Sequence, residues 1–109
     1  MAECAQIEEL QTICPGARAI SEGGQEFIHL PTLKLPPGCQ PPEVEGLLCP
    51  TARDGYATRL FLSSPIAGKG NNWSLHHIAS RPWHTWSWKD VSASQSLLQI
   101  LIGHIDAFR

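Results

Sequence analysis

His84 and Ser87 stand three residues apart in the run Arg81-Pro82-Trp83-His84-Thr85-Trp86-Ser87-Trp88. An imidazole is a proton acceptor. A hydroxyl becomes a useful nucleophile only when a base is close by. The spacing allows that pairing on one condition. In a helical turn, residues i and i+3 share a face; in an extended chain they point to opposite faces. Three of the four tryptophans lie in the same run, and Trp73 lies just upstream. Indoles bury large apolar areas, and each carries one N–H that needs a partner. A structural account therefore stands beside the chemical one. In it the indoles cover the core beneath a loop, Ser87 bonds to backbone, and His84 caps an indole N–H.

Other chemistries have less behind them. Ser74, Ser80 and Thr85 are further hydroxyls in the same region, and Ser80 stands eight residues before Trp88. Cys49 sits at the end of an apolar run, before Pro50. A reactive thiol needs partial exposure and a cationic neighbour, and Arg53 is the candidate cation. His76, His77 and His84 raise the question of a metal. Adjacent histidines on an extended segment point apart, and no carboxylate or cysteine completes a set, so no metal site is expected. Gly68-Lys69-Gly70-Asn71-Asn72 has the wrong glycine spacing and ending for a phosphate loop. No cofactor is expected.

The elements that must position these groups fit one domain over residues 1–109, long enough for one real core. The net charge is −2, with no basic stripe, so nucleic acid is not an expected partner. No run of 18 apolar residues occurs, so no membrane-spanning helix is expected. Met1-Ala2-Glu3-Cys4 does not start a secretory signal, and a cytoplasmic location is the expectation. The cysteines Cys4, Cys14, Cys39 and Cys49 form no C-x-x-C pair and read as free thiols.

Residues 3–14 have helical periodicity through Cys4, Ile7, Leu10, Ile13 and Cys14, ended by Pro15-Gly16. A strand follows at 17–20. Glu22-Gly23-Gly24-Gln25 is a hairpin turn signal. Residues 26–35 form a second strand, with Phe27, His29, Leu33 and Leu35 expected on one face and an edge or bulge at Pro31. Strands at 44–49 and 58–62 are next, separated by a turn at Arg53-Asp54-Gly55-Tyr56. Residues 73–78 make a short extended piece, and the tryptophan run reads as irregular. A final helix spans 92–108, with Ser92 and Gln95 at capping-box spacing. Asp106 and Arg109 read as solvated charges, and Arg53, Arg59 and Arg81 as surface arginines. The order is a two-layer α+β arrangement.

That order resembles the ubiquitin-conjugating enzymes, and more closely their short bacterial members encoded beside ubiquitin-like proteins and activating-like enzymes. The residues carrying the likeness are Leu35-Pro36-Pro37-Gly38, Leu47-Leu48-Cys49-Pro50, Asp54-Gly55-Tyr56, Trp83 to Trp88, and Leu97-Leu98-Gln99-Ile100 after Trp88. The resemblance implies a UBC-like α+β fold: an N-terminal helix, a four-stranded antiparallel meander, an irregular active-site region and a C-terminal helix packed on the sheet. It implies a carrier that takes a ubiquitin-like acyl group from an activating enzyme, with both of those proteins as partners. The family's cysteine before the tryptophan and its His-Pro-Asn motif have no counterpart here. Ser87 would then carry an oxyester, with His84 as base or orienter and Ser80 as rival. Alternatives are a silent module that docks the ubiquitin-like protein or the activating enzyme, and an unrelated α+β domain with a tryptophan patch for a partner.

Overall fold

The computed structural model describes residues 4–52, 55–70, 72–88 and 91–108. The helix start at Glu3, the Arg53-Asp54 half of the expected turn, Asn71, Arg109 and the side chain of Cys4 lie outside them. The order is α1 (Cys4–Gln11), β1 (Arg18–Glu22), β2 (Gln25–Lys34), β3 (Glu43–Cys49), β4 (Arg59–Leu62), β5 (Ser74–Ile78), β6 (Arg81–Thr85), α2 (Leu97–Ile105) and a 3₁₀ turn at Asp106–Phe108.

The expected four-stranded UBC-like meander is overturned. All six strands join one antiparallel sheet in the order β1-β2-β3-β4-β6-β5, curled into a half-barrel. The two further strands are β5, on the extended piece expected at 73–78, and β6, which occupies the tryptophan run and lies between β4 and β5. The turn between them hides the hairpin from inspection of the sequence. Ala79 and Ser80 sit at φ 53° and 62°, the left-handed pair of a two-residue type I′ loop, where Asn and Gly are the usual occupants. Pro82 argues against a central strand in the same way. It is tolerated because β6 meets β4 only at the pair Leu62 and His84, beyond the reach of Pro82.

Two cores form, one on each face of the sheet. The helices cover the first. Leu10 and Cys14 pack with Ile28, Leu30, Leu48, Leu60 and Leu62, and with Leu97, Leu101 and Phe108. A register shift between Leu30 and Leu33 marks the bulge expected at Pro31. It also splits the face assigned to β2: Leu33 joins the helix-side core, whereas Phe27 lies on the other side. That second core comprises Phe27, Leu47, Cys49, Phe61, Ile78 and Trp83. Both cores are written in runs such as Leu47-Leu48-Cys49 and Leu60-Phe61-Leu62, where unbroken apolarity marks strands buried on both faces.

An ion pair stands beside the second core. Arg81 on β6 donates to both carboxylate oxygens of Glu45 on β3, at 2.9 and 2.6 Å. His29 Nε2 meets the same carboxylate from β2. The Arg81 hydrogen bonds hold the Glu45 carboxyl down at about 2, well below the ordinary carboxylate range. The Arg81 guanidinium also lies 4.7 Å from the Trp83 ring centroid. Arg81 lies at the surface as expected, paired with Glu45, whereas Arg59 does not. Arg59 is only 6% exposed, and its guanidinium lies 4.1 Å from the centre of the Tyr56 ring.

The helices are shorter than their periodicity. Ile13 is exposed rather than on a buried face. In α2 the capping box is Ser96 with Gln99, one turn later than the Ser92 and Gln95 pairing. Both pairs fit the S-x-x-Q pattern. Ser92 bonds Ser94 instead.

Candidate functional site

Extended geometry decides the first question. His84 lies in β6 between Leu62 of β4 and Leu75 of β5, and Ser87 follows two residues after the strand ends. Among the described residues no hydrogen bond joins them. Ser87 Oγ instead accepts from the Tyr56 hydroxyl at 3.3 Å. A donor on that oxygen draws electron density away from the lone pairs a nucleophile must use. The base-and-hydroxyl pair expected from the sequence is therefore not assembled.

The other nucleophiles are placed no better. Thr85 is fully buried and donates to Leu60 O at 2.8 Å. Ser80 is exposed at the tip of the β5–β6 hairpin, and no hydrogen bond joins it to a histidine among the described residues. Cys49 is fully buried in the second core, with its thiol directed to Thr51 O at 3.3 Å. Its candidate cation, Arg53, lies outside the described residues. His76 packs edge-on to Phe61 with ring centroids 5.4 Å apart, whereas His77 is exposed. Among the described residues no group of three His, Cys, Asp or Glu side chains gathers at metal-binding spacing.

What the run does build is a ledge. Its four indoles, counting Trp73, have different fates. Trp83 anchors the second core and donates to Ile78 O at 3.2 Å. Trp73 donates to Lys69 O at 2.8 Å. Its ring stacks on Phe108, with centroids 6.2 Å apart. Trp86 lies 4.5 Å from Phe108 by ring centroids, and its N–H is buried with no partner among the described residues. An orphaned buried donor costs roughly 1–3 kcal/mol. Trp86→Phe removes it along with some packing, so the variant is expected within about 1 kcal/mol of the parent in urea unfolding.

Trp88 is the exception, at 39% exposed. Its Nε1 donates to Gly103 O at 2.9 Å, which fixes the ring while leaving one face open. A Cβ at Gly103 would stand 3.1 Å from Val91 Cγ1, so a larger residue there would have to displace Val91 by a few tenths of an ångström. Hollows open on both sides of the indole. One, of about 500 Å³, lies between it and residues 55–58. The other, of about 680 Å³, lies against α2 beside Gln95, Gln99 and Asp106. Ile102, 41% exposed, extends the apolar surface along the second hollow.

Beneath the ledge is a buried polar chain that sequence inspection missed. The Thr58 hydroxyl donates to Val91 O at 2.8 Å, and its oxygen lies 2.8 Å from His104 Nε2. A hydroxyl has one hydrogen, so His104 must be the donor and carries its proton on Nε2. Burial, and then the Arg59 charge, lower the His104 pKa to about 4. The chain ties the 55–58 segment, the ledge and α2 together. Its sequence signal is a histidine on the apolar stripe of α2, one residue after the glycine.

No family model, no curated protein and no solved structure matches the chain. No helix among the described residues is long and apolar enough to cross a membrane.

Proposed function

We propose that this chain is a binding module of a ubiquitin-like conjugation system, docking the ubiquitin-like protein or its activating enzyme, and that it carries no acyl group itself. The choice of partner rests on the motif resemblance at Leu35 to Gly38, Leu47 to Pro50, Asp54-Gly55-Tyr56, Trp83 to Trp88 and Leu97 to Ile100. It does not depend on the conjugating-enzyme fold. The absence of an acyl-carrying role rests on geometry: His84 is apart from Ser87, the Ser87 oxygen is occupied by Tyr56, and the Cys49 thiol is buried. The observation that carries the reading is Trp88, a half-open indole locked by its own N–H between two hollows. A rigid aromatic with its orientation already fixed loses little entropy on binding, and such residues are typical anchors of protein interfaces.

The test mixes the protein with a ubiquitin-like protein and an activating enzyme encoded beside it, and measures binding by calorimetry and adducts by intact mass. Trp88→Ala is expected to weaken binding about 30-fold or more, the effect of losing an anchor worth about 2 kcal/mol. Its thermal midpoint should stay close to that of the parent, because the ring is half outside the core. Ser87→Ala should bind as the parent does, and neither protein should form a hydroxylamine-sensitive adduct. An adduct that disappears in Ser87→Ala would restore the acyl-carrier reading.

A further inference from the structure

We infer that the free edge of β1 is a self-association surface, through which two copies of this chain join their sheets antiparallel. Among the described residues β1 is an outer strand of the sheet and pairs only with β2. Its sequence is Arg18-Ala19-Ile20-Ser21-Glu22. Reversed against a second copy about Ile20, Arg18 falls opposite the copy's Glu22 and Glu22 opposite the copy's Arg18. Ile20 then meets its own counterpart. Every charged position in the register is matched by one of opposite sign, and a directly opposed pair of that kind contributes to strand pairing where like charges oppose it.

The backbone selects the same register. Gly23 and Gly24, at φ 60° and 79°, make a type I′ loop between Glu22 and Gln25. The pair flanking such a loop exchanges hydrogen bonds, and bonded pairs alternate along an antiparallel ladder. Glu22, Ile20 and Arg18 therefore turn their backbone groups to β2, and Ala19 and Ser21 turn theirs outward. Among the described residues no other group bonds the backbone of Ala19 or Ser21. In the register centred on Ile20, Ala19 faces the copy's Ser21, so the outward groups meet outward groups. Arg18 and Glu22 then fall at non-bonded pairs, where side chains approach most closely.

The opposite edge of the sheet lacks this property. β5 reads Ser74-Leu75-His76-His77-Ile78 and has no acidic, lysine or arginine side chain to fix a register. Edge strands commonly carry charges that discourage pairing with other chains. On β1 the two charges are placed so that this barrier vanishes against an antiparallel copy of the same strand. A five-residue edge buries much less than the roughly 1,200 Å² of a stable interface, so the dimer is weak and follows concentration.

Sedimentation velocity of the full chain at low ionic strength, up to its solubility limit, tests this. The parent should shift from monomer toward dimer as concentration rises. Arg18→Glu makes one edge doubly acidic, and Glu22→Arg makes the other doubly basic. Each variant alone should dimerise at least about tenfold more weakly. An equimolar mixture of the two should recover a heterodimer, because every opposed pair is again of opposite sign. Both residues are exposed, so near-ultraviolet circular dichroism should remain that of the parent. A parent that stays monomeric throughout, a dimer indifferent to both reversals, or a mixture no more associated than its components would each overturn the inference. None of these results bears on the Trp88 ledge.

Discussion

Trp83→Ala is expected to lower stability by about 3–5 kcal/mol, the usual cost of truncating a large buried aromatic. Stability of an ordinary domain is about 5–15 kcal/mol, so this one change should bring the protein close to unfolding. The ring is 2% exposed and is the largest side chain of the second core. Three things go with it. The cluster of Phe27, Leu47 and Phe61 loses its cover. The N–H bond to Ile78 O, which clamps the β5–β6 hairpin, disappears. Arg81 loses the ring beneath its guanidinium and keeps only Glu45. Trp83→Phe should recover more than half of the loss, since it restores most of the apolar volume and omits the hydrogen bond. The comparison with Trp88→Ala is the informative one. Urea unfolding should separate the two alanine variants by several kcal/mol, with Trp83 the costly one. Equal costs would mean that the Trp83 face of the sheet is not a core.

That contrast shows what the sequence could and could not convey about its tryptophans. Their clustering is plain, but four indoles in sixteen residues (73–88) serve different ends, and only strand geometry sorts them. Once Arg81–Thr85 is a strand, Trp83 and Trp86 fall on opposite faces and join different cores. The strand also holds His84 between β4 and β5, while Ser87, beyond its end, meets Tyr56. The strands β1 to β4 were legible because Gly23-Gly24, Pro36-Pro37-Gly38 and Ser63-Ser64-Pro65 bound them with ordinary turn chemistry. β6 was not, because Ala79-Ser80 occupies a turn that usually selects Asn or Gly. The second core was legible in principle, since Leu60-Phe61-Leu62 does not alternate and a strand with one wet face would. The Glu45–Arg81 pair was not, because it joins positions 36 residues apart across an intervening strand. For the site, the sequence located Ser87 and the ledge but not their chemistry. Tyr56, which occupies the Ser87 oxygen, was read as a turn residue and part of a motif, not as a partner of Ser87.

Acidification should weaken the protein earlier than its carboxylates would, because of His104. Its pKa in the folded chain is about 4, against an ordinary 6.5. The folded state thus binds this proton less readily than the unfolded state between those two values. Unfolding takes up a proton there, and stability falls as pH falls. The contribution is fully present above pH 6.5, is lost progressively down to about 4, and then changes no further. A shift of this size corresponds to roughly 3 kcal/mol over the whole window. Glu45 acts lower, between its ordinary 4.5 and about 2. Its side chain is 27% exposed, so solvent screening reduces what the shift is worth. Urea midpoints measured from pH 7.5 to 4.5 should therefore decline first through His104. His104→Gln offers an N–H toward Thr58 Oγ1 and cannot titrate. It should flatten the decline above pH 5 while remaining folded at neutral pH. An unchanged slope in that variant would place the responsible proton elsewhere. The consequence reaches the ledge, because the imidazole holds Thr58, and Thr58 holds Val91 O. Charging His104 disturbs the chain that fixes the segment carrying Trp88. In the folded chain that charge appears only as pH nears about 4, so partner binding at that indole should hold while stability declines from pH 6.5 and weaken only near pH 4, whereas a docking surface on the far side of the sheet would not follow it.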